Sequence, residues 1–252
     1  MIVGTGQPPP LVATIGLHAS ASTWVFNVVR ELMIAAVGSE RVLALYADRM
    51  EQIHDQPERS GRHIVIKSHH GSAELDAWLA AEQAPMILSV RDPRDACLSM
   101  AQRFNAPLNH TVVWLANDCQ RMMRLAAYGH LMLRYEDRFF DDFSAVGRVA
   151  DALGLAPPVA ETAAIFARYT TEAVRSFARK LSELPPDRLA TVGEPKVDRL
   201  TQIHEPHIGD GSSGKWRNLP VQIRTELTRR FGPFLERFGY ELGRSPTIPL
   251  KS

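Results

Sequence analysis

Leu11-Val12-Ala13-Thr14-Ile15-Gly16-Leu17-His18-Ala19-Ser20-Ala21-Ser22-Thr23-Trp24 runs from a mainly apolar stretch into a loop of small and hydroxyl-bearing residues. An apolar run of this length bounded by a turn reads as a strand covered on both faces. The helical periodicity that begins at residue 22 makes the unit strand, loop, helix. Two later segments repeat the arrangement: Ile64-Val65-Ile66-Lys67-Ser68-His69, and Ile87-Leu88-Ser89-Val90-Arg91-Asp92-Pro93-Arg94-Asp95-Ala96-Cys97-Leu98-Ser99. Each is a candidate buried strand ending in small, hydroxyl or basic residues. In an open α/β sheet ligands sit beyond the carboxyl ends of the strands. Three such ends, all bearing anion-binding groups, point to one phosphate-rich ligand.

Further strands are expected at 42–46 and 130–135, besides 11–16, 63–67 and 86–90. Helices are expected at 22–37, 72–83, 93–103, 110–128, 139–153, 158–178 and 220–238. Alternation of the two in the first half predicts an α/β fold of three layers, a mostly parallel central sheet flanked by helices. Beyond residue 139 only helices and loops are expected. Ser22 is a candidate cap for the first long helix. Pro93 suits a first helical turn, and Gly154 a helix stop. The expected organisation is a single domain over 11–244 between loose tails, 1–10 and 245–252. The stretch 184–214, rich in proline and glycine, reads as a lid, a binding loop or a disordered segment.

Bulk properties narrow the function. Hydrophobic residues make up 45% of 252, enough for a full core without disulfides or metal. A net charge of +1 argues against a nucleic-acid partner, so an anion site must be built locally. Cys97 and Cys119 form no disulfide framework. No signal peptide and no apolar run near the ~20 residues that span a bilayer are present, so a cytoplasmic location is expected.

In the first loop, Ala19, Ser20, Ala21 and Ser22 let backbone amides approach an anion, and the following helix adds its positive end. The loop lacks the glycines and lysine of the nucleotide-triphosphate loop. Trp24 is either a stacking partner for a base or a core aromatic. Lys67 and His69 alternate on an extended segment and so face one side, a cation beside a titratable base. Arg91 can fork onto a phosphate. Ser99 lies nearly two turns into the next helix, with its direction open. Arg94 and Asp95 read as a solvated helix start, and Trp78 and Trp114 as core or acceptor-pocket wall. No ligand cluster at zinc or magnesium spacing occurs, so no metal is expected.

With these residues in view, the chain from about 11 to 240 resembles the sulfotransferases that use 3′-phosphoadenosine 5′-phosphosulfate (PAPS). Ser20, Ser22, Thr23 and Trp24 are similar to the P-K-S-G-T-T-W loop, Lys67-Ser68-His69 to K-T-H, and Arg91 to Ser99 to R-[ND]-P-x-D-x-x-x-S. Arg134-Tyr135-Glu136-Asp137 is similar to Y-E-D, and Gly211-Ser212-Ser213-Gly214-Lys215-Trp216-Arg217-Asn218 to G-x-x-G-D-W-[KR]-N. The resemblance implies a P-loop-like sulfotransferase architecture, PAPS as co-substrate and adenosine 3′,5′-bisphosphate (PAP) as product. It implies His69 as general base with Lys67 beside it. The implied cofactor contacts are His18, Ala19, Ser20, Ala21, Ser22, Thr23 and Trp24, then Arg91, Ser99 and Tyr135, then Gly211, Ser212, Gly214, Lys215, Trp216 and Arg217. The acceptor would be a small molecule or carbohydrate lined by 46–62, 104–112 and 180–206; a homodimer stays open. The chain departs from the pattern where the loop lysine aligns with Ala19, the loop glycine with Ala21, and a basic pair with Gly209 and Asp210. His18, His207, Lys215 and Arg217 are the candidates to restore the charge. A kinase-like phosphoryl transferase and a catalytically silent nucleotide-binding homologue are the alternatives.

Overall fold

In the computed structural model, described over residues 7–191, 196–204, 209 and 211–242, the elements follow the order the sequence predicts for the first half. They are β1 (Leu11–Gly16), α1 (Ser22–Val37), β2 (Val42–Tyr46), α2 (Glu51–His54), β3 (His63–Ser68), α3 (Ala73–Ala81), β4 (Met86–Val90), α4 (Pro93–Arg103), α5 (Leu108–Leu125) and β5 (Leu131–Arg134). Then come α6 (Ser144–Ala152), α7 (Val159–Arg168), α8 (Thr171–Arg179), β6 (Leu189–Thr191), β7 (Lys196–Asp198) and α9 (Val221–Arg237). Strands β1 to β5 form one parallel sheet in the order β2-β3-β1-β4-β5. Crossovers leave β1 toward β2 and leave β4 toward β5. Their direction therefore reverses at the centre, where such sheets bind ligands.

Alternation along β1 splits the core in two. Leu11, Ala13 and Ile15 pack with α3, α4, α5 and α9, and Val12 packs with α1, α6 and α7. Every residue of β1 is buried, as a strand covered on both faces requires. Gly16 ends it where space permits no side chain: a Cβ there would lie 2.4 Å from Ser22 Cβ and 2.6 Å from Ser89 Oγ.

The structure corrects several expectations. The second half is not only helix and loop, since β6 and β7 pair antiparallel. The helix expected over 158–178 is two. Thr170 has extended backbone and accepts the amide of Ala173, so it ends one helix and caps the next. Residues 139–141 form a separate turn before α6. Ser22 does not cap α1: Ala21, at φ 59°, takes the cap position, and Ser22 already lies inside the helix. Pro93 opens α4, and Gly154, at φ 69°, follows α6. Trp114 is 45% exposed rather than core, and Trp78 packs at the core's edge. The tail 245–252, most of the tail 1–10, and His207 and Asp210 lie outside the described residues, as do parts of 184–214.

Arg94 and Asp95 are the largest misreading. Both are buried. The Arg94 guanidinium pairs with Asp92 at 2.7 Å, donates to Glu241 O and Thr228 Oγ1, and lies 3.5 Å over the Trp216 ring. Asp95 accepts the backbone amides of Gly214 and Trp216. The pair fastens the segment 211–218 to the head of α4, which explains why two charges tolerate burial. Arg94→Ala strands the Asp92 carboxylate and is expected to cost about 3–5 kcal/mol of stability, the scale for removing one partner of a buried pair. Urea unfolding checks it; a loss under 1 kcal/mol would mean that water or another group takes over the carboxylate.

Candidate active site

The first loop leaves β1 and turns twice through left-handed backbone, at Ala19 (φ 60°) and Ala21 (φ 59°). The two left-handed residues turn the chain sharply into α1, whose free N-terminal amides suit an anion. The strain of two such alanines, ~1–2 kcal/mol per residue, explains why glycine suits the position of Ala21. Ser20 serves the loop itself: its hydroxyl lies 2.6 Å from Leu17 O and 2.8 Å from Ser89 Oγ. It is buried and turned away from the cavity that His18, Ala19, Ala21, Ser22, Thr23 and Trp24 help to line.

That cavity has a volume of about 1090 Å³ and sits beyond the carboxyl ends of β1, β3 and β4. Lys67 and His69 both face it, as the alternation of an extended segment requires. Lys67 Nζ donates to Thr23 Oγ1 at 2.7 Å. Burial, and then the nearby Arg103 charge, pull its ammonium down to about 7, against the pull of Asp48. His69 Nδ1 lies 2.6 Å from Gly16 O, an acceptor only, so the proton is on Nδ1. The Nε2 lone pair points to the cavity side, 3.4 Å from Ser22 Oγ. Burial, and then the His18 and Lys67 charges, hold the imidazole well below its ordinary range and therefore neutral.

Arg91 joins three parts of the site. Its Nη1 donates to Ala19 O at 2.9 Å, its Nη2 to Ser212 O at 3.0 Å, and its guanidinium lies 4.0 Å from the centre of the Tyr135 ring. Ser99 faces the cavity, which settles its direction. Trp24 packs edge-on against Phe139 at 5.4 Å, as a core aromatic does, and it also lines the cavity with a buried Nε1 that has no hydrogen-bond partner. Gly211 and Lys215 line the same cavity. Gly214, Trp216 and Arg217 line a separate recess, where Arg217 pairs with Glu241 at 2.7 Å. Trp216 is thus a clamp held by Arg94 rather than a wall of the cavity.

Sequence reading missed four contributors. Arg103, at the end of α4, contacts His204 and is pulled down to about 10 by burial. Burial, followed by the charges of Arg103 and Lys67, takes His204 down to about 3. Asp48 Oδ1 accepts the amides of His69 and His70 and the Ser68 hydroxyl, pinning the turn that carries the base. Asp118 accepts from His18 Nδ1 at 2.6 Å. Asp118 and Arg121 are charges on the buried face of α5, among Leu115, Cys119, Met122 and Leu125, and that misplaced polarity was their signal.

Lys67, Arg91, Arg103 and Lys215 line the cavity beyond the carboxyl ends of a parallel sheet. No protein-family model matches the sequence, and no curated protein sequence matches it. Solved structures do match. Mouse sulfotransferase SULT7A1 complexed with PAP superposes with a TM-score of 0.62 at 14% identity, covering 90% of this chain and 84% of that one. This chain has the sulfotransferase fold. Retinol dehydratase in a complex with retinol and PAP gives 0.58 at 14% identity, over 97% and 86% of the two chains. Retinol dehydratase with androsterone and inactive cofactor PAP gives 0.58 at 15%, over 98% and 86%. At such identities the likeness is one of fold, and the roles of side chains in this sulfotransferase-like chain rest on its own geometry. No described helix is long and apolar enough to cross a membrane.

Proposed function

We propose that the chain transfers a sulfuryl group from PAPS to a hydroxyl or amine of an acceptor, with His69 as general base. One observation carries the reading: the Gly16 carbonyl fixes the tautomer of His69 so that a neutral Nε2 faces a cavity rich in cations. The acceptor oxygen or nitrogen bonds to sulfur while the bond from sulfur to the bridging oxygen breaks, and the acceptor's proton passes to Nε2. Lys67 stabilises charge on the transferring and bridging oxygens. The amides of 19–23 hold the 5′-phosphate. Arg91 and Ser99 hold the 3′-phosphate, and Trp24 and Tyr135 frame the adenine. Arg103 stands near enough to depress Lys67 and supplies cationic charge that Ala19 cannot.

Away from the cradle the cavity wall becomes apolar, with Leu43, Leu45, Phe104, Val174, Leu200 and Ile203. That wall favours an acceptor with a hydrophobic body and one nucleophilic group. Transfer of radiolabelled sulfate from PAPS to a panel of sterols, phenols and sugars tests the reading. Labelled apolar alcohols support it. Tight PAP binding with no label on any acceptor would instead favour the catalytically silent homologue, and transfer from ATP the phosphoryl transferase.

Nucleotide binding should also take up a proton. With Lys67 pulled down to about 7, it is largely neutral at pH 8 to 9. A bound phosphate anion favours the ammonium and raises its pKa. Affinity for PAP is therefore expected to rise as pH falls from 9 toward 7, by up to about tenfold per pH unit, and to level off below 7 where Lys67 is already charged. Arg91, Arg103, His204 and His69 line the same cavity and the Asp48 charge also acts on Lys67, so Lys67→Met is the control that must flatten the profile. Calorimetry in buffers of different ionisation enthalpy counts the protons, and no uptake at pH 8 would exclude Lys67 as the group responsible.

A further inference from the structure

His18, His70 and Asp118 meet in one corner of the fold although 100 residues separate His18 from Asp118. Their donor atoms all lie within 4.8 Å of one another. His18 Nδ1 is 2.6 Å from one Asp118 oxygen, and His70 Nδ1 is 2.5 Å from the other. The carboxylate is 2% exposed, and its Oδ1, though close to His70, makes no aligned hydrogen bond. We propose that these three side chains form a binding site for a divalent transition-metal ion of the zinc class. Two imidazole nitrogens and one carboxylate oxygen are the donor set such ions prefer over magnesium or calcium. Three protein donors leave a coordination position open, and His70, 42% exposed at its side chain, puts that position on the solvent side.

The surroundings favour a cation and hold the donors. Asp48 and Asp76 lie in the same corner, where Arg121 is the basic partner: it pairs with Asp76 and donates to Ser68 Oγ and His69 O. Asp48 Oδ1 accepts the backbone amide of His70 at 3.0 Å, which orients the turn bearing that ligand. Supports of this kind, one bond behind the ligands, accompany most metal sites. Metal bonds near 2.0–2.1 Å set donors roughly 3.3 Å apart, so from their present 2.6 and 2.5 Å the imidazoles must withdraw from the carboxylate by about 0.7–0.8 Å. His70 has the freedom to do so. The ion binds the two imidazole nitrogens in their deprotonated form, and any proton they carry on Nδ1 leaves to solvent. It also fixes His18, whose ring stacks on His69 at 4.1 Å.

Titration of Co²⁺ into the full chain without nucleotide tests the site. One equivalent should bind with the visible absorption of a low-coordinate cobalt centre, and Zn²⁺ should displace it. His70→Ala, at an exposed position, and Asp118→Asn should each weaken binding by at least roughly 10–100-fold, the scale on which even outer-shell partners alter metal affinity. Thermal unfolding confirms that the His70→Ala protein is folded. Absence of a one-equivalent cobalt spectrum, or unchanged affinity in His70→Ala, overturns the assignment. Since the titration contains no nucleotide, either outcome leaves the sulfuryl-transfer reading where it stood.

Discussion

His69→Ala is expected to lower sulfate transfer by about 10²–10⁴-fold, the usual worth of a positioned general base, and to leave the dissociation constant for PAP within a few-fold of its starting value. The separation follows from what each atom touches. Nδ1 is spent on Gly16 O, inside the protein, and Nε2 faces the cavity. The cradle contacts proposed for PAP come from other residues: the amides after β1, Arg91 and Ser99. Truncation leaves Gly16 O without its imidazole donor, so a stability loss of about 1–3 kcal/mol accompanies the change. The backbone of the turn stays pinned by Asp48 and by Arg121 Nη1, which donates to His69 O at 2.9 Å. Turnover and calorimetric affinity, measured on one preparation, decide the matter. If affinity collapses together with turnover, His69 is a structural support for the cradle and the base lies elsewhere.

The extent to which the sequence could be read depends on what each residue needs. The sheet strands were legible because strands covered on both faces must be largely apolar, and the central residues of β1, β3 and β4 are. The strands β6 and β7 are three residues each, too short to carry alternation, and went unseen. Lys67, His69 and Arg91 were legible because strand ends fix where side chains go. The sites of Arg94 and Asp95 were not, because a charge beside a proline at a helix start has the same local pattern whether solvent or Trp216 lies against it. What buries them arrives from residues 214–241, more than a hundred positions later. The trio of His18, His70 and Asp118 escaped for the same reason. A side-chain cluster assembled by folding leaves no linear spacing, and only the polarity on the buried face of α5 hinted at one end of it.

Arg91→Ala carries the second large effect, on binding rather than on turnover. The guanidinium ties the loop at Ala19, the late segment at Ser212 and the ring of Tyr135 into one wall, and its Nε is buried with no hydrogen-bond partner. Arg91 lines the cavity, so a phosphate held there under the proposed function lies against this guanidinium. Removing the side chain deletes a charge-assisted contact to the proposed 3′-phosphate and loosens the wall. At about 1.5–3 kcal/mol for a hydrogen bond to a charged group, PAP affinity should fall roughly 10–150-fold, and further if the wall disorders. Arg91→Lys keeps the charge but not the planar fork, so it should recover only part of the loss. Adenosine 5′-phosphate, which lacks the 3′-phosphate, provides the contrast: its weaker affinity should change little between the native and Arg91→Ala proteins. Equal losses for both nucleotides would place Arg91 in the architecture of the wall and take the 3′-phosphate away from it.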